Sequence, residues 1–502
     1  MIPLQYASLV VLAFVANVLG RDSSSHWLLS QGIEALGGSR NLEAVLDVTY
    51  SGGGSMSQTL GLNGLDRILA GAGRQNVSFS FEGGVGLIAN FSSSANFLWA
   101  RPNLEPVNFS LVVQDGGDGF AATVEGSDLL LAPSAPPSGY KDVYDKTLDI
   151  SVLLDEDTKL PYLIRSYENH SFFGPSTNDL FLKDYVTVKG VKFPRRFQTI
   201  YNRKHLLTEY SVARVLVNTG IPSAHFDGPP GRLLTAHVPR RDILYGFAEI
   251  GENNAYYRWT GQYTGTFANL KATQPWKDLP GVWLLTVTDA PSYRQLILEL
   301  GNNVVVLDAP PHQSLLVLRW VRERLNKTVT HVWPTHHHHD HAYGTVDYVA
   351  AGARVIALDN AVDYYSTIPK DRFITYSTNR PFTLGDDAIQ ATLVHMGGSL
   401  HAADHSYAHI SPRCSTTNST TLIFDADNAN TANIAASEQG ALLAALDKFA
   451  ADKVALSATF VAVHGNWIPF AQIINVTGYR YPSTGAQDFK YLRHRCIGPK
   501  SP

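Results

Sequence analysis

The sequence has few cysteines and no concentration of positive charge. Only two of its 502 residues are cysteines, Cys414 and Cys496, so a thiolate zinc site and a Cys-x-x-Cys redox motif are both excluded. The formal net charge is −4 and no segment is rich in lysine and arginine, so the basic surface that binds a nucleic-acid backbone is missing. We therefore expect no nucleic-acid partner.

The sequence also lacks an N-terminal apolar stretch long enough to cross a bilayer. The stretch from Ala7 to Leu19 is shorter than the roughly 20 residues that a spanning helix requires. Gly20 follows it as a small residue suited to cleavage, so residues 1–20 are predicted to be a signal peptide. A buried N-terminal helix is the alternative. We expect no stable membrane span.

Two further features are typical of a secreted glycoprotein. Seven asparagines stand in Asn-x-Ser/Thr sequons, which carry a glycan only on a chain that enters the secretory path. These are Asn76, Asn90, Asn108, Asn169, Asn326, Asn418 and Asn475. The even cysteine count is compatible with one disulfide between Cys414 and Cys496, two buried thiols being the alternative.

Composition and length predict two packed domains. Hydrophobic residues make up 44% of the chain and charged residues 17%, which is typical of a globular protein with a large core. The chain is too long for one ordinary core. Gly220 to Arg241 is rich in proline and glycine, which continue neither helix nor strand. We place the boundary there and predict domains at 21–235 and 236–502.

The first domain is predicted to be antiparallel and β-rich. A short helix carrying Leu29 and Leu36 precedes segments in which apolar and other residues alternate, such as Ile150 to Leu154 and Phe197 to Tyr201. The resemblance to the curved-sheet domains of bacterial lipoprotein carriers lies in Ala35-Leu36-Gly37-Gly38, the strands after it and Gly190-Val191-Lys192-Phe193-Pro194. It would imply a half-barrel for an apolar ligand. A structural domain that packs on the catalytic one is the alternative.

The second domain alternates strands with helices, which predicts an α/β layer architecture with functional sites at strand ends. The helix between the third and fourth strands carries Leu315, Leu318, Val321 and Leu325. The predicted strands are Val282 to Val287, Leu296 to Leu300, Val304 to Leu307, Val329 to Trp333 and Val355 to Leu358.

A histidine cluster, His336-x-His338-x-Asp340-His341, lies between a predicted strand and a predicted helix. In an extended backbone alternate side chains share a face, so His336 and His338 can bind the same ion. Asp340 and His341 follow where the chain turns and face a neighbouring position. A metal-sponge tract or an expression tag is the alternative, but such runs lie at termini and lack the embedded aspartate. His337 and His339 are predicted to turn away from the ions.

This pattern of strand, His-x-His-x-Asp-His and helix resembles the metallo-β-lactamase superfamily, from about residue 280 to residue 470. The resemblance implies a four-layer αββα sandwich after the antiparallel β-rich domain. It also implies that Asp427 bridges two ions and that His464 joins Asp340 and His341 at the second ion. Asp308 matches the position that accepts a hydrogen bond from a metal-bound imidazole.

The remaining ligand of the first site has two candidates, His401 and His405. We prefer His405, because the family usually places serine or threonine directly after this ligand and Ser406 does so here. The interval to Asp427 is also shorter from His405. His401 remains the alternative.

The resemblance implies a hydrolase with two zinc ions per chain, iron or manganese being alternative metals, and the predicted signal peptide indicates that this hydrolase is secreted. A hydroxide between the ions would attack an ester, lactone, amide or related bond of a small-molecule substrate. Asp340 or Asp427 would take up the released proton. The rival hypotheses are an oxidoreductase with a single iron, like the sulfur dioxygenases of the same superfamily, and a binding protein with a structural metal. Neither the substrate nor the oligomeric state follows from the sequence.

Overall fold

The structure is a computed structural model that describes residues 23–57, 71–81, 88–96, 107–114, 144–145, 150–222, 225, 266–288, 290–310, 313–436 and 439–493. The chain divides into two compact units, one formed by Met1–Leu98 with Asn103–Gly261 and the other by Trp99–Pro102 with Gln262–Pro502. The predicted signal peptide lies outside the described residues. So does the greater part of the predicted boundary segment, from 226 to 241.

The first unit contains two described helices and fourteen described strands. The helices are α1 (Ser23–Leu36) and α2 (Ser39–Glu43). The strands are β1 (Asp47–Ser51), β2 (Ser55–Ser57), β3 (Gly71–Ser80), β4 (Ile88–Asn96), β5 (Val107–Gln114), β6 (Tyr144–Asp145), β7 (Ile150–Leu154), β8 (Pro161–His170), β9 (Gly174–Lys183), β10 (Val186–Val188), β11 (Val191–Phe193), β12 (Arg196–Tyr201), β13 (His205–Ser211) and β14 (Arg214–Val217).

Antiparallel pairing joins all of these strands except the separate β10–β11 hairpin into one sheet. Helix α1 ends at Leu36 because Gly37 and Gly38 adopt positive φ angles of 130° and 79°. A Cβ on Gly37 would lie 2.2 Å from the carbonyl oxygen of Gly190, so only glycine fits there. Leu36 packs into the core with Tyr50 and other residues of the sheet. The prediction of an antiparallel β-rich domain is confirmed.

The second unit contains helices, a wider helical turn at Val321–Leu325 and two sheets. The described α-helices are α3 (Ser314–Trp320), α4 (His339–Ala342), α5 (Thr345–Ala350), α6 (Gln439–Ala451) and α7 (Phe470–Thr477). The strands are β15 (Leu270–Thr273), β16 (Val282–Val287), β17 (Ala290–Leu300), β18 (Asn303–Leu307), β19 (His331–Trp333), β20 (Arg354–Leu358), β21 (Phe373–Tyr376), β22 (Phe382–Gly385), β23 (Ile389–His395), β24 (Ser406–Pro412), β25 (Leu422–Asp425), β26 (Thr459–Ala462) and β27 (Trp467–Pro469).

These elements form four layers. Strands β15 to β21 make one sheet in chain order and β22 to β27 make the other. Apolar side chains from both sheets fill the space between them, including the fully buried Trp333, Leu393 and Phe424. Helices α6 and α7 cover the outer face of the second sheet through residues such as Phe449 and Ile473. Helix α5 packs on β19 and β20, and α3 packs on α5. The predicted αββα sandwich is therefore confirmed.

One detail of the predicted helix is wrong. Leu315 is 64% exposed, whereas Val317, Trp320 and Val321 of α3 and the turn after it are buried. Buried residues at this spacing define one face of a helix, and Leu315 lies on another.

Several predicted features of secretion fall on residues that the structure describes. Cys414 is disulfide-bonded, and its predicted partner Cys496 lies outside the described residues. Asn76, Asn326, Asn418 and Asn475 are exposed. The side chains of Asn90, Asn108 and Asn169 lie outside the described part of the chain.

No helix within the described residues is long and apolar enough to cross a membrane.

Candidate metal centre

The predicted metal-binding side chains follow the ends of neighbouring strands. Asp308 comes directly after β18 and His336 soon after β19, and these two strands are parallel. Asp427 and His464 each follow by two residues the ends of β25 and β26, which are also parallel. The carboxyl ends of parallel strands meet at one edge of a sheet, and here both sheets present that edge to the same place.

The chain leaves β19 extended and then turns into a helix, which divides the histidine cluster in two. His338 has an extended backbone, with φ −59° and ψ 147°, and α4 begins at His339. Extended residues alternate, so His336 and His338 share a face. The N–H of His341 donates to the carbonyl oxygen of His338 at 3.0 Å, which closes the first turn. Asp340 and His341 therefore point to a second position, beside the first.

The first group of side chains contains three buried histidines. Nε2 of His336 lies 2.8 Å from Nδ1 of His338. One nitrogen of His401 completes the group, in which the three ligand atoms lie within 4.8 Å of one another. Three imidazole nitrogens converging on one point are the arrangement in which proteins bind zinc and related divalent ions.

The structure does not favour His405, which we preferred from the sequence, as the third member of this group. Nε2 of His405 lies 3.0 Å from Oδ1 of Asp425, and both side chains are fully buried. Nε2 of His401 instead lies 3.1 Å from Oδ2 of Asp427. Asp425 is the last residue of β25 and contacts His405, whereas Asp427 lies beyond the strand and contacts His401. We therefore reassign the first group to His336, His338 and His401.

The second group contains Asp340, His341 and His464. Oδ2 of Asp340 lies 3.3 Å from Nε2 of His464 and 3.4 Å from Nε2 of His341. The two imidazole nitrogens are 3.2 Å apart. His341 is fully buried, whereas the side chains of Asp340 and His464 are 20% and 29% exposed. The second group is therefore open to solvent on the side of His464.

Asp427 lies between the two groups. Its Oδ2 is 3.4 Å from Nε2 of His336 and 3.1 Å from Nε2 of His401, which belong to the first group. The same oxygen is 2.9 Å from Nε2 of His341, and Oδ1 is 3.4 Å from Nε2 of His464, in the second group. One carboxylate thus contacts both groups, as a bridging ligand would.

The pKa shifts of the histidines differ between the two groups. Burial lowers the pKa of His336 and His338 well below the usual range, and neighbouring histidines lower it further. Burial would also lower the pKa of His341, but the carboxylates of Asp427, Asp340 and Asp308 hold it well above the usual range. The pKa of Asp427 is held well below the usual range, because the nearby histidines outweigh the effect of burial. Negative charge is thus concentrated at the second group.

Asp308 holds both ends of the histidine segment. Its Oδ1 accepts a hydrogen bond from the N–H of Thr335 at 2.7 Å, and its Oδ2 lies 2.7 Å from Nδ1 of His341. The second contact occupies Nδ1 and leaves Nε2 of His341 directed at Asp427. This is the position that the sequence resemblance implied, where a carboxylate fixes the tautomer of a ligand.

Comparisons with known proteins found similar solved structures only. No protein-family model and no curated protein matches the chain. One similar solved structure is a metallo-β-lactamase from Pontibacter korlensis, with 18% identity and a TM-score of 0.31 over 42% of this chain and 97% of that one. Another is a Cronobacter sakazakii metallo-β-lactamase with a HARLDQ motif, with 19% identity and a TM-score of 0.27 over 39% of this chain and 80% of that one. The solved structures that this chain resembles are metallo-β-lactamases.

Two histidines outside the groups are buried rather than at the surface. Nδ1 of His337 lies 2.7 Å from Oδ1 of Asp404. His339 stacks on Tyr343 with ring centroids 5.8 Å apart. Both belong to neither group, as predicted, and both side chains are buried. The His337–Asp404 contact connects the histidine segment to the loop that carries His401.

Sequence reasoning missed Tyr293 and Gln295, on β17. The Tyr293 ring lies edge-to-face with His464, with centroids 4.9 Å apart. Burial raises the pKa of the Tyr293 hydroxyl, and the carboxylates of Asp340 and Asp427 contribute to the rise. Nε2 of Gln295 donates to the carbonyl oxygen of Asp308 at 2.8 Å. The polar residues at alternate positions of an otherwise apolar strand, two strands before the histidine cluster, were the available signal.

Proposed function

We propose that this chain is a hydrolase that binds two divalent metal ions, with zinc as the expected metal. The single observation that carries the proposal is the position of Asp427, whose Oδ2 contacts histidines of both groups. A lone ion would need only one of the groups. A carboxylate shared between two sets of nitrogen ligands supports a pair of ions about 3.5–4 Å apart.

The residues present suit such ions. The ligand atoms are imidazole nitrogens and carboxylate oxygens, the donors that zinc prefers when thiolates are absent. Asp308 fixes the orientation of His341, so part of the ligand set is already organised for binding.

Each part of the site has a distinct role in hydrolysis. When bound, two ions would supply a water nucleophile with a lowered pKa and would polarise a carbonyl or phosphoryl oxygen of the substrate. Asp427 and Asp340 would accept the proton released from that water, since their carboxylates face the space between the groups. The exposed side of His464 would admit the substrate. An ester, lactone, amide or related bond is the proposed target.

The second group counts against the rival hypotheses. A site for one iron would use His336, His338 and His401. It would not explain why Asp340, His341 and His464 also converge. A structural metal site is typically closed by protein ligands. The partial exposure of Asp340 and His464 supports a site with room for a substrate instead.

Metal removal and a hydrolysis panel test this proposal. The protein purified without chelator should hydrolyse at least one of a set of lactones, thioesters, β-lactams, phosphodiesters and sulfate esters. Treatment with a chelator should abolish that activity, and zinc should restore it, because no serine or cysteine nucleophile is invoked. Activity that survives complete metal removal, measured by elemental analysis, would contradict the proposal.

We also propose that the chain is secreted. The disulfide at Cys414 and the exposed sequon asparagines are consistent with an oxidising, glycosylating compartment. Expression in a eukaryotic secretory host should release a protein whose mass falls on treatment with an N-glycosidase. Retention inside the cell with no change of mass would count against secretion.

A further inference from the structure

Tyr293 reaches the second group of ligands because β17 is irregular at that point. Along the β16–β17 pair, Thr286 is opposite Arg294, but the next residue, Val287, is opposite Ala290. The residues from 291 to 293 therefore have no partner in register on β16. Such bulges re-aim side chains and are common beside active sites. Here the bulge ends at Tyr293, whose ring lies against His464.

The residues that follow Tyr293 are anchored to both sides of the site. The backbone N–H of Arg294 donates to the carbonyl oxygen of Val463, directly before His464, at 3.1 Å. Nη2 of Arg294 donates to Oδ1 of Asn466 at 2.8 Å. Gln295, on the same face of the strand as Tyr293, donates to the carbonyl oxygen of Asp308. Tyr293 is therefore held in place by its neighbours and does not depend on its own hydroxyl for its position.

The Tyr293 hydroxyl has no hydrogen-bond partner among the described residues, although its ring is largely buried. Two other tyrosines of this unit have hydroxyl partners: the Tyr407 hydroxyl donates to Asp452 at 2.7 Å, and the Tyr376 hydroxyl accepts a bond from Nε1 of Trp333 at 3.0 Å. The contact between the Tyr293 ring and His464, whose side chain is 29% exposed, places Tyr293 at the open side of the second group.

We propose that the Tyr293 hydroxyl donates a hydrogen bond to the substrate oxygen that gains negative charge during hydrolysis. This inference rests on the proposed function, and it assigns to Tyr293 the role of a catalytic residue that contacts substrate. The substrate class would carry a carbonyl or phosphoryl oxygen directed at the second group. A fixed donor at that point stabilises the transition state more than the ground state, because the oxygen becomes more negative as the bond to water forms.

Tyr293→Phe tests the inference, since it removes one oxygen and keeps the ring against His464. Tyr162→Phe, at an exposed position of β8 in the other unit, is the matched control. Turnover of the substrate found in the panel should fall by about 10- to 100-fold in kcat for Tyr293→Phe, with a smaller change in KM. Inorganic phosphate, measured by calorimetry on the zinc-loaded protein, should bind about tenfold more weakly to Tyr293→Phe. Zinc content and thermal stability should match those of the wild type.

Failure of this inference can be told apart from failure of the proposed function. If wild-type protein and Tyr293→Phe hold zinc, hydrolyse the substrate and bind phosphate equally well, Tyr293 does not contact the reacting oxygen, while the hydrolase proposal stands. A loss of zinc in Tyr293→Phe would show that the residue only supports His464, and would overturn the inference. A wild-type protein that neither binds zinc nor hydrolyses any substrate would overturn both proposals.

Discussion

Asp308 is one of the described residues other than glycine that have a positive φ angle. Its φ is +67°, in the left-handed region that residues other than glycine seldom adopt. The side chain is completely buried and holds both Thr335 and His341. Local strain of this kind persists only where surrounding contacts fix it, and it is concentrated at functional sites. The conformation therefore supports the view that Asp308 organises the metal ligands.

The assignment of His401 is tested by comparing two alanine substitutions. His401→Ala removes a ligand of the first group, so metal affinity should fall by more than the roughly 10- to 100-fold that loss of an outer hydrogen-bonding partner costs. His405→Ala leaves Asp425 buried without its histidine and should lower the free energy of unfolding by about 1–3 kcal/mol, with metal content little changed. Elemental analysis and chemical denaturation of each variant provide the measurements. The opposite pattern, with metal lost only from His405→Ala, would restore the sequence-based preference.

The sequence could predict the members of the site but could not choose between neighbouring histidines. The His336 to His341 segment is regular, so alternation followed by a turn is enough to divide it into two faces. His401 and His405 lie in a loop where no periodicity applies, and Gly397 and Gly398 there have positive φ angles of 56° and 99°. The path of that loop decides whether His401 or His405 faces Asp427. Tyr293 was not predicted for a similar reason, because a bulge changes the direction of its side chain.

At the scale of elements, strand β24 carries a buried histidine outside the metal centre. His409 is fully buried, and its ring stacks on that of Phe489 with centroids 3.7 Å apart. Burial lowers the pKa of His409 from its usual value of 6.5 to about 3. The C-terminal segment that contains Phe489 is also tied to the sheet, since the N–H of Arg493 donates to Oε1 of Gln390 at 3.1 Å.

This stack predicts a pH dependence of stability. Below pH 6.5 the unfolded chain protonates His409 while the folded chain does not, so stability is present above that pH and is lost as the pH falls towards 3. Between pH 7 and pH 5 the contribution of His409 should fall by about 2 kcal/mol. The measurement is made in chelator, so that loss of metal does not contribute. His409→Gln should then show a smaller fall in the free energy of unfolding than the wild type as the pH is lowered. Parallel stability curves over this pH range would refute the role assigned to His409.

The elements themselves were largely predictable, because each strand and helix of the second unit has its own apolar period. Strand β16 has the predicted bounds, Val282–Val287, and β18 begins one residue before the predicted one. The extent of β17 was not predictable, since the half before Leu296 contains polar residues that face the site or the solvent. The exposure of Leu315 on α3 was also missed, whereas the predicted apolar residue Val321 is buried.

At the scale of the whole molecule, the metal centre depends on both sheets of the second unit. One sheet supplies the segment from His336 to His341 and the residue Asp308, while the other supplies Asp427 and His464. The large shared core of these sheets fixes the two edges relative to each other. A site built across rigid layers can hold its ligands at the short separations that two ions require. The first unit contributes no described residue to either group.

The most direct test of this account is the metal stoichiometry of Asp427→Asn. The change nearly conserves volume but removes the negative charge shared between two adjacent cations, so their mutual repulsion is less well offset. Asp363→Asn, at a side chain that is 83% exposed, is the matched control. Zinc-loaded wild-type protein and Asp363→Asn should hold about two ions per chain, whereas Asp427→Asn should hold about one or fewer and lose most of its turnover. Two tightly bound ions and full turnover in Asp427→Asn, or no more than one ion in the wild type, would contradict the bridged two-metal centre.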